Sequence, residues 1–226
     1  MIILLSPAKS LDYESPLPTK RHTEPRLLED SEILVKKLRT MSPKALGKLM
    51  SISDKLADLN AERYTTWEPD FTPENSRQCL FAFTGDVYQG MELSEWKGPD
   101  FTLAQKQIRI LSGLYGVLRP LDLMQPYRLE MGSKFKNARG NNLYQFWDTK
   151  LTENLNNLLA QDKKPVLLNL ASKEYFSAIK PATLNAEIIS PVFKDFSNGK
   201  YKILSFFAKK ARGSMAAYVI QNKIKN

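Results

Sequence analysis

A turn that contains two glycines is the clearest candidate for chemistry in this sequence. It lies within residues 111–122, where Gly113 and Gly116 are separated by two apolar residues, the first of which is Leu114. Glycines allow backbone amides to point outward with no Cβ in the way, and a helix that starts just beyond the turn adds the positive end of its dipole. The pattern therefore predicts a bend that can hold a phosphate. The alternative is a helix cap followed by an ordinary turn between packed helices.

The same turn resembles the helix-hairpin-helix element of DNA-binding proteins. That element contacts backbone phosphates and reads no base sequence. Its two glycines are two positions apart, whereas Gly113 and Gly116 are three apart. The sequence thus predicts an element of this kind with a different amide geometry.

Basic side chains stand close to this turn in the sequence and again near the end of the chain. If they converge on one groove, they neutralise several phosphates, and binding falls steeply as the salt concentration rises. If they do not converge, they are solvated surface charges. The residues concerned are Lys106, Arg109, Arg119, Arg128, Lys134, Lys136 and Arg139, followed by Lys209, Lys210 and Arg212.

Three carboxylates follow the turn and are candidates for catalysis. Asp122 comes directly after it, Glu130 stands eight residues further on, and Glu174 lies in the last third of the chain. A carboxylate beside a bound phosphate can act as a general base or as a nucleophile at a sugar carbon, as enzymes that remove bases require. The alternative role is a salt bridge. Asp122 and Glu130 are the candidates kept, and no catalytic constellation is assigned.

The supply of cysteine and histidine excludes several kinds of site. Cys79 is the only cysteine and His22 the only histidine. An internal disulfide, a Cys/His zinc site and a Ser-His-Asp triad are therefore poorly supplied. We predict no metal site and no cofactor, and we expect Cys79 to be a buried apolar residue.

The charge balance indicates an anionic partner. Among 226 residues, 33 are basic and 24 acidic, which gives a net charge of +9. Residues 101–226 hold twenty of the basic and eight of the acidic side chains. A surplus of this kind favours nucleic acid as the partner, with an acidic protein and a merely solvated surface as the alternatives.

The hydrophobic pattern predicts an α+β fold, a single mixed domain with a sheet and surrounding helices. Residues 1–5 and 165–170 are expected to be strands, and residues 103–111 and 143–161 to be helices. Three short helices, capped by Ser31, Ser42 and Ser53, are interpreted as a helical bundle rather than a nucleic-acid-binding module. Near the end, β-rich segments 187–196 and 200–207 flank Asn198 and Gly199, which is a hairpin signal, and a closing helix is expected beyond Gly213.

No apolar stretch approaches the roughly 18 residues that a bilayer span needs. The opening apolar residues are too few and lack the basic flank of a signal peptide. We therefore expect a soluble cytoplasmic protein that does not bind membranes.

Segments along the whole chain resemble the YaaA family of proteins linked to peroxide stress. The resemblance rests on residues 6–9, 11–13, 52–56, 85–88, 111–132, 137–140, 143–147, 169–172, 184–187 and 208–213. Members usually continue beyond the position of Asn226, so we expect a single domain over residues 1–226 that lacks the C-terminal tail of the family.

The resemblance implies a cytosolic protein that limits oxidative damage during hydrogen peroxide stress by lowering unincorporated iron. It also implies the α+β cantaloupe fold, with a positively charged cleft and a helix-hairpin-helix motif that binds duplex DNA. The motif would be residues 113–116 with Arg109 and Arg119 beside it. The cleft cations would be Lys9, Arg128, Lys209, Lys210 and Arg212.

Three hypotheses follow. The first is sequence-independent binding of double-stranded DNA in a basic cleft. The second is a glycosidase-like enzyme that acts on a nucleobase, nucleoside or nucleic acid with a carboxylate near the same cleft. The third is a protein-interaction module whose basic surface meets an acidic partner.

Overall fold

Short strands make up the β-structure of the protein. The computed structural model describes residues 1–197 and 199–224. Within these ranges the strands are β1 (Ile2–Leu5), β2 (Arg77–Gln78), β3 (Ile108–Ser112), β4 (Gly116–Leu118), β5 (Leu123–Met124), β6 (Val166–Asn169), β7 (Glu187–Ile189), β8 (Asp195–Ser197) and β9 (Lys200–Lys202).

Five of these strands form the central sheet, in the order β4-β3-β1-β6-β7. The pairs β1–β3, β1–β6 and β6–β7 are parallel, and β4 is antiparallel to β3. All four residues of β1 are buried, as expected for the middle strand of a sheet that is covered on both faces. From β1 the next parallel strand in the chain, β3, lies on one side, whereas the later strands β6 and β7 lie on the other. Strands are therefore added to the sheet in one direction after β1 and in the other direction after β6, so the strand order reverses between these two neighbours.

Ten helices in the described ranges surround the sheet. They are α1 (Leu28–Arg39), α2 (Pro43–Met50), α3 (Asp54–Thr66), α4 (Cys79–Ala82), α5 (Asp86–Gly90), α6 (Gly98–Gln107), α7 (Leu143–Trp147), α8 (Lys150–Leu159), α9 (Lys173–Phe176) and α10 (Ser205–Gln221). The predicted α+β class, with one mixed sheet and helices around it, is confirmed.

Several helix starts follow the predicted caps. The Ser42 side chain accepts a hydrogen bond from the Ala45 amide at 3.3 Å, and Pro43 occupies the first position of α2. Ser31 is different, because α1 begins three residues earlier and the Ser31 hydroxyl donates to the Leu27 carbonyl oxygen. The predicted helix over residues 143–161 is divided into α7 and α8 at Asp148, whose φ is 39°.

The predicted helix over residues 103–111 is wrong in its second half. Helix α6 ends at Gln107, and the next five residues form β3, all of them buried. Residues 113–115, the glycine bend, then turn the chain into β4. The mostly apolar residues 108–111 fit the period of a helix as well as that of a strand, and it is the pairing with β1 that makes them a strand. A helix-hairpin-helix element at the glycine bend is therefore not confirmed.

The C-terminal segment also differs from its prediction. Strand β9 ends at Lys202, and α10 starts at Ser205 and continues through Gly213 without a break. A Cβ on Gly213 would lie 1.8 Å from the Val87 carbonyl oxygen. Gly213 therefore allows α10 to lie against α5 rather than interrupting the helix. The predicted hairpin pairs as β8–β9, while Asn198 of its turn lies outside the described residues.

Candidate binding cleft at the carboxyl edge of the sheet

The candidate site lies where β1 and β6 end. In open sheets with parallel strands, ligands bind outside the carboxyl ends of the strands at the point where the strand order reverses. Here the loop that begins with Ser6 follows β1, and the loop that leads to Ser172 follows β6. The Ser172 amide donates a hydrogen bond to Ser6 Oγ at 2.8 Å, and the Tyr88 hydroxyl donates to the Ser6 carbonyl oxygen at 3.0 Å. These bonds tie the two loops and α5 together.

A cleft of about 450 Å³ opens at this edge. Its walls come from the loop after β1, the start of α5, the segment after β5, the start of α9 and one face of α10. The lining residues that carry charge are Lys9, Asp86, Arg128, Glu130, Glu174, Lys209 and Arg212. A volume of this size suits a small molecule or a single nucleotide, since ligand pockets commonly measure roughly 300–1,000 Å³.

A larger depression, of about 1110 Å³, lies at the opposite edge of the sheet. Its lining includes Met1, Lys106, Lys163 and Lys164. The Met1 ammonium group pairs with Asp162 there at 2.7 Å. We favour the smaller cleft as the functional site because it lies at the carboxyl edge, where sheets of this kind bind ligands.

Three of the four cations that line the cleft, Lys9, Lys209 and Arg212, are held loosely or have no ion-pair partner among the described residues. Lys9 Nζ lies 3.3 Å from Glu130 Oε1, and Lys209 Nζ lies 3.5 Å from Asp86 Oδ2, with both lysines largely exposed. Arg212 is half-buried, and burial lowers the pKa of its guanidinium group. No carboxylate in the described part of the chain forms an ion pair with Arg212. These side chains can therefore turn to an anion with little loss.

The two carboxylate oxygens of Glu130 are in different environments. Its Oε1 accepts from Arg128 Nε at 3.1 Å and is also shared with Lys9. Its Oε2 is buried and has no hydrogen-bond partner among the described residues. Buried polar atoms normally have partners, so this oxygen is open to a donor from a ligand.

Tyrosines form the apolar floor of the cleft. Burial raises the pKa values of Tyr88, Tyr127 and Tyr175. Their hydroxyls therefore stay neutral, and the Tyr127 hydroxyl pairs with Ser112 Oγ at 2.6 Å. The Tyr64 hydroxyl of α3 donates to the Arg128 carbonyl oxygen, which fixes the backbone beside Glu130.

Four of the five cations expected in a cleft are brought together. Lys9, Arg128, Lys209 and Arg212 line it. Lys210 is exposed on α10 next to Lys209 but does not line the cleft.

The residues expected around the glycine bend lie elsewhere and are covered. Leu114 is fully buried, and a Cβ on Gly113 would lie 2.2 Å from the Leu129 carbonyl oxygen. Gly116 packs against Leu27, Leu151 and Trp147. Arg109 is also buried, where it donates to the carbonyl oxygens of Gln105 and Ile108. The bend thus lies beneath packed side chains and presents no amides to solvent.

Asp122 lies outside the cleft in a closed hydrogen-bond network. Its two carboxylate oxygens accept from the Arg119 amide at 2.7 Å, from Arg119 Nε at 2.9 Å and from Thr23 Oγ1 at 2.6 Å. Arg119 also donates to the Glu24 carbonyl oxygen. These contacts are the salt-bridge role that the sequence left open for Asp122.

Cys79 is buried, as predicted. Its thiol donates to the Arg119 carbonyl oxygen at 3.0 Å. Burial raises the pKa of the thiol, and the nearby Asp122 adds to the effect. The thiol is therefore protonated at neutral pH and has little nucleophilic character.

Sequence reasoning missed three groups of the site. Ser6, Asp86 and Ser172 were recognised only as parts of family segments. The available signal was their position, because Ser6 follows directly on β1 and Ser172 stands three residues after β6. A polar residue just after an apolar parallel strand marks the ligand-binding edge of such a sheet.

A short helix-turn-helix pair does occur in the protein, at a different place. Helices α2 and α3 are joined by residues 51–53, and Ser51 takes the left-handed conformation with φ 53°. The Ser53 side chain makes no capping bond to the first turn of α3. Serine in place of glycine conceals this turn from a search based on glycine spacing.

Neither a membrane-spanning helix nor a cluster of metal ligands occurs among the described residues. No helix there is long and apolar enough to cross a bilayer. No group of three or more His, Cys, Asp or Glu side chains there could hold a metal ion.

The chain was also compared with families of known proteins. A family model described as peroxide stress protein YaaA matches residues 1–226, the whole length of the sequence. The segments that carry the resemblance include residues 6–9, 85–88 and 208–213, each of which supplies residues to the cleft. The chain belongs to the peroxide stress protein YaaA family.

Proposed function

We propose that this protein acts in peroxide stress by binding DNA at the carboxyl-edge cleft. The observation that carries the proposal is the convergence of Lys9, Arg128, Lys209 and Arg212, from three distant segments of the chain, on one cleft. Contacts of this kind go to backbone phosphates and are independent of base sequence.

The charge arrangement supports phosphate binding. Exposed ion pairs such as Lys9–Glu130 and Lys209–Asp86 contribute only about 0–1 kcal/mol, so both lysines exchange a carboxylate for a phosphate readily. Arg212 needs no exchange, since it pairs with no carboxylate in the described part of the chain. Lys210 is exposed next to Lys209 on α10, outside the lining of the cleft.

The size of the cleft favours a particular mode of binding. A duplex is wider than the opening of a cavity of about 450 Å³, whereas a single nucleotide fits inside it. We therefore propose that DNA lies across the mouth and places backbone phosphates, or one displaced nucleotide, against the cations. Under this proposal, the lowering of unincorporated iron that the family resemblance implies is an indirect consequence of DNA binding.

Charge reversal on α10 tests the proposal. Replacing Lys209 and Lys210 by Glu lowers the affinity for unrelated duplexes equally, on the order of tenfold at low salt, and reduces the salt slope by about 2. Fluorescence anisotropy with two labelled duplexes over a salt series measures both quantities.

The matched control is Lys163→Glu with Lys164→Glu. These two exposed lysines also adjoin each other, and they lie at the opposite edge of the sheet, before β6. Their reversal changes the net charge equally and leaves the cleft intact. Equal losses in the two double variants, or unchanged binding in the first, would contradict the proposal.

A second candidate function is favoured by Glu130. Glu130 lines the cleft and its buried Oε2 has no partner among the described residues, so a rotation of the side chain would let this carboxylate take a proton from, or attack, a nucleoside or nucleotide held there. The test incubates the protein at stoichiometric amounts with damaged and undamaged oligonucleotides and with free nucleosides and nucleotides. Product formed by the native protein and lost in Glu130→Gln supports the enzyme. No product from any substrate removes it.

A further inference from the structure

An exposed aromatic surface lies on the β8–β9 hairpin and the first turn of α10. Its four members are Phe196, Tyr201, Phe206 and Phe207, which are 66%, 71%, 54% and 52% exposed. Val192 and Ile203, which belong to the same stretch, are also more than half exposed. Soluble proteins seldom leave so dense a group of large apolar side chains in water unless the group binds something.

The rings are arranged in two pairs. Phe196 and Tyr201 stand directly opposite each other in the β8–β9 register, with ring centroids 5.2 Å apart. Phe206 and Phe207 are neighbours at the start of α10, with centroids 5.5 Å apart.

The hairpin does not need these rings for its attachment to the protein. Phe193, which stands two residues before β8, is partly buried and packs against the hydrophobic core. The outward rings are therefore free to contact a partner.

The charged residues around the rings indicate the chemical class of the partner. Residues 191–211 contain five lysines and one acidic residue, Asp195. Surfaces that bind other proteins are depleted in lysine, whereas surfaces that bind single-stranded nucleic acid combine basic groups with aromatic rings on which bases stack. The composition therefore matches an unpaired nucleic acid strand.

The aromatic surface continues into the cleft. Phe206 stands three and four positions before Lys209 and Lys210, so its side chain neighbours theirs on α10. Lys209 lines the cleft. Tyr201 and Phe206 are five residues apart, which limits the distance between their Cα atoms to about 18 Å. A few nucleotides can span this distance.

We infer that the aromatic surface binds an unpaired strand of DNA, with bases stacked on Phe196, Tyr201, Phe206 and Phe207 and with the backbone directed toward Lys209. This inference rests on the proposed function, because the cleft supplies the phosphate contacts at one end of the strand. It adds a preference for DNA that contains unpaired bases over a perfect duplex.

The first test removes two rings. The double variant Phe196→Ala and Tyr201→Ala is compared with Tyr218→Ala, which removes an exposed ring from the far end of α10. Three labelled ligands of equal length are used: oligo(dT), an abasic strand and a duplex. We expect the dissociation constant for oligo(dT) to rise about tenfold in the double variant, since stacking on one aromatic side chain contributes on this scale. Binding of the abasic strand and the duplex stays unchanged, and Tyr218→Ala affects none of the three.

The second test reports contact directly. The native tryptophans, Trp67, Trp96 and Trp147, are all buried. In Tyr201→Trp the new indole is therefore the accessible one, and its fluorescence is quenched when a base stacks on it. Quenching by oligo(dT) but not by the abasic strand is the expected result.

The outcomes separate this inference from the proposed function. If the native protein binds all three ligands equally and the fluorescence of Tyr201→Trp does not respond to oligo(dT), the aromatic surface does not bind bases, while the cleft proposal stands. If the protein binds no form of DNA, both fail. A fluorescence change with anionic lipid vesicles alone, or a concentration-dependent dimer that the double alanine variant abolishes, assigns the surface to a membrane or to a second copy and overturns the inference.

Discussion

Two arginine–carboxylate pairs lie near each other in the sequence but in different surroundings. Arg119 and Asp122 lie near the glycine bend, where Thr23 also donates and both carboxylate oxygens are occupied. Arg128 and Glu130 lie in the cleft, where Glu130 Oε1 is shared by two cations and Oε2 has no partner in the described part of the chain.

The difference shows how the same residue types serve stability in one place and binding in the other. A buried carboxylate whose oxygens are all occupied holds neighbouring segments in one arrangement. A carboxylate with an unused oxygen beside exposed lysines leaves an opening for a ligand. We therefore expect substitutions near the glycine bend to lower stability and substitutions in the cleft mainly to change binding.

Removal of the Asp122 carboxylate has the largest expected effect. In Asp122→Ala, Arg119 keeps its charge and loses its partner, which lowers the free energy of unfolding by about 3 kcal/mol. Urea denaturation measures the change. A loss of less than about 1 kcal/mol would show that water replaces the carboxylate and that the region is not closed.

A methyl group at Gly113 has the next largest effect. Its Cβ would lie 2.2 Å from the Leu129 carbonyl oxygen, so the backbone must shift, at a cost of about 2 kcal/mol. Gly98→Ala is the matched control, because no atom lies within 4 Å of a Cβ there. If Gly113→Ala had unchanged stability and weaker DNA binding, the glycine bend would be a binding surface and not a packed, stabilising region.

Cys79, which is close to Asp122, makes the stability of the protein depend on pH. Because its pKa is raised in the folded protein, the unfolded thiol ionises first, and stability falls as the pH rises past the ordinary thiol value of about 8.5. Between pH 8 and 9.5 we expect a loss of about 1 kcal/mol that is absent from Cys79→Ala. The thiol also resists alkylation and peroxide until the protein unfolds. Rapid alkylation of the folded protein would contradict the burial of this residue.

Glu130→Gln has the smallest expected effect on stability, about 1 kcal/mol, because glutamine keeps the shape of the side chain and its Oε1 can still accept from Arg128 and Lys9. Under the proposed function the affinity for DNA rises, by about fivefold at low salt, since a negative charge leaves the site. Anisotropy and urea denaturation of the same preparation measure both quantities. Weaker DNA binding by this variant would indicate that the carboxylate itself contacts the ligand.

Part of the fold follows from local sequence. The apolar run at residues 165–170 contains β6, and Pro43 after Ser42 marks the start of α2. Both signals are local, since the first depends on composition and the second on a single capping bond. The buried state of Cys79 also follows from its apolar neighbours.

The glycine bend could not be read in the same way. Residues 108–111 suit a helix or a strand, and only the parallel pairing with β1, about a hundred residues away, makes them β3. Gly113 and Gly116 are required by close packing rather than by a ligand, and a single sequence does not distinguish these two reasons.

The sequence indicated candidate cations for a cleft, but it did not indicate where in the fold the cleft lies. Arg128, Lys209 and Arg212 were singled out as basic residues in the sequence, and Lys9 came from the family resemblance; neither source gives their geometry. That they meet at the edge between β1 and β6 depends on the order of strands in the sheet, and that order is set by contacts between distant segments.

The contact between α5 and α10 acts as a spacer for the cleft. A Cβ on Gly90 would lie 2.2 Å from the Lys210 carbonyl oxygen, and one on Gly213 would lie 1.8 Å from that of Val87. The lack of a side chain at these two glycines thus sets the distance between α10 and the opposite wall of the cleft. Lys209 and Arg212 lie on α10, so their positions depend on this distance. Alanine at either glycine pushes the wall outward, so the width of the opening, and with it the size of ligand admitted, can be adjusted without altering any charge.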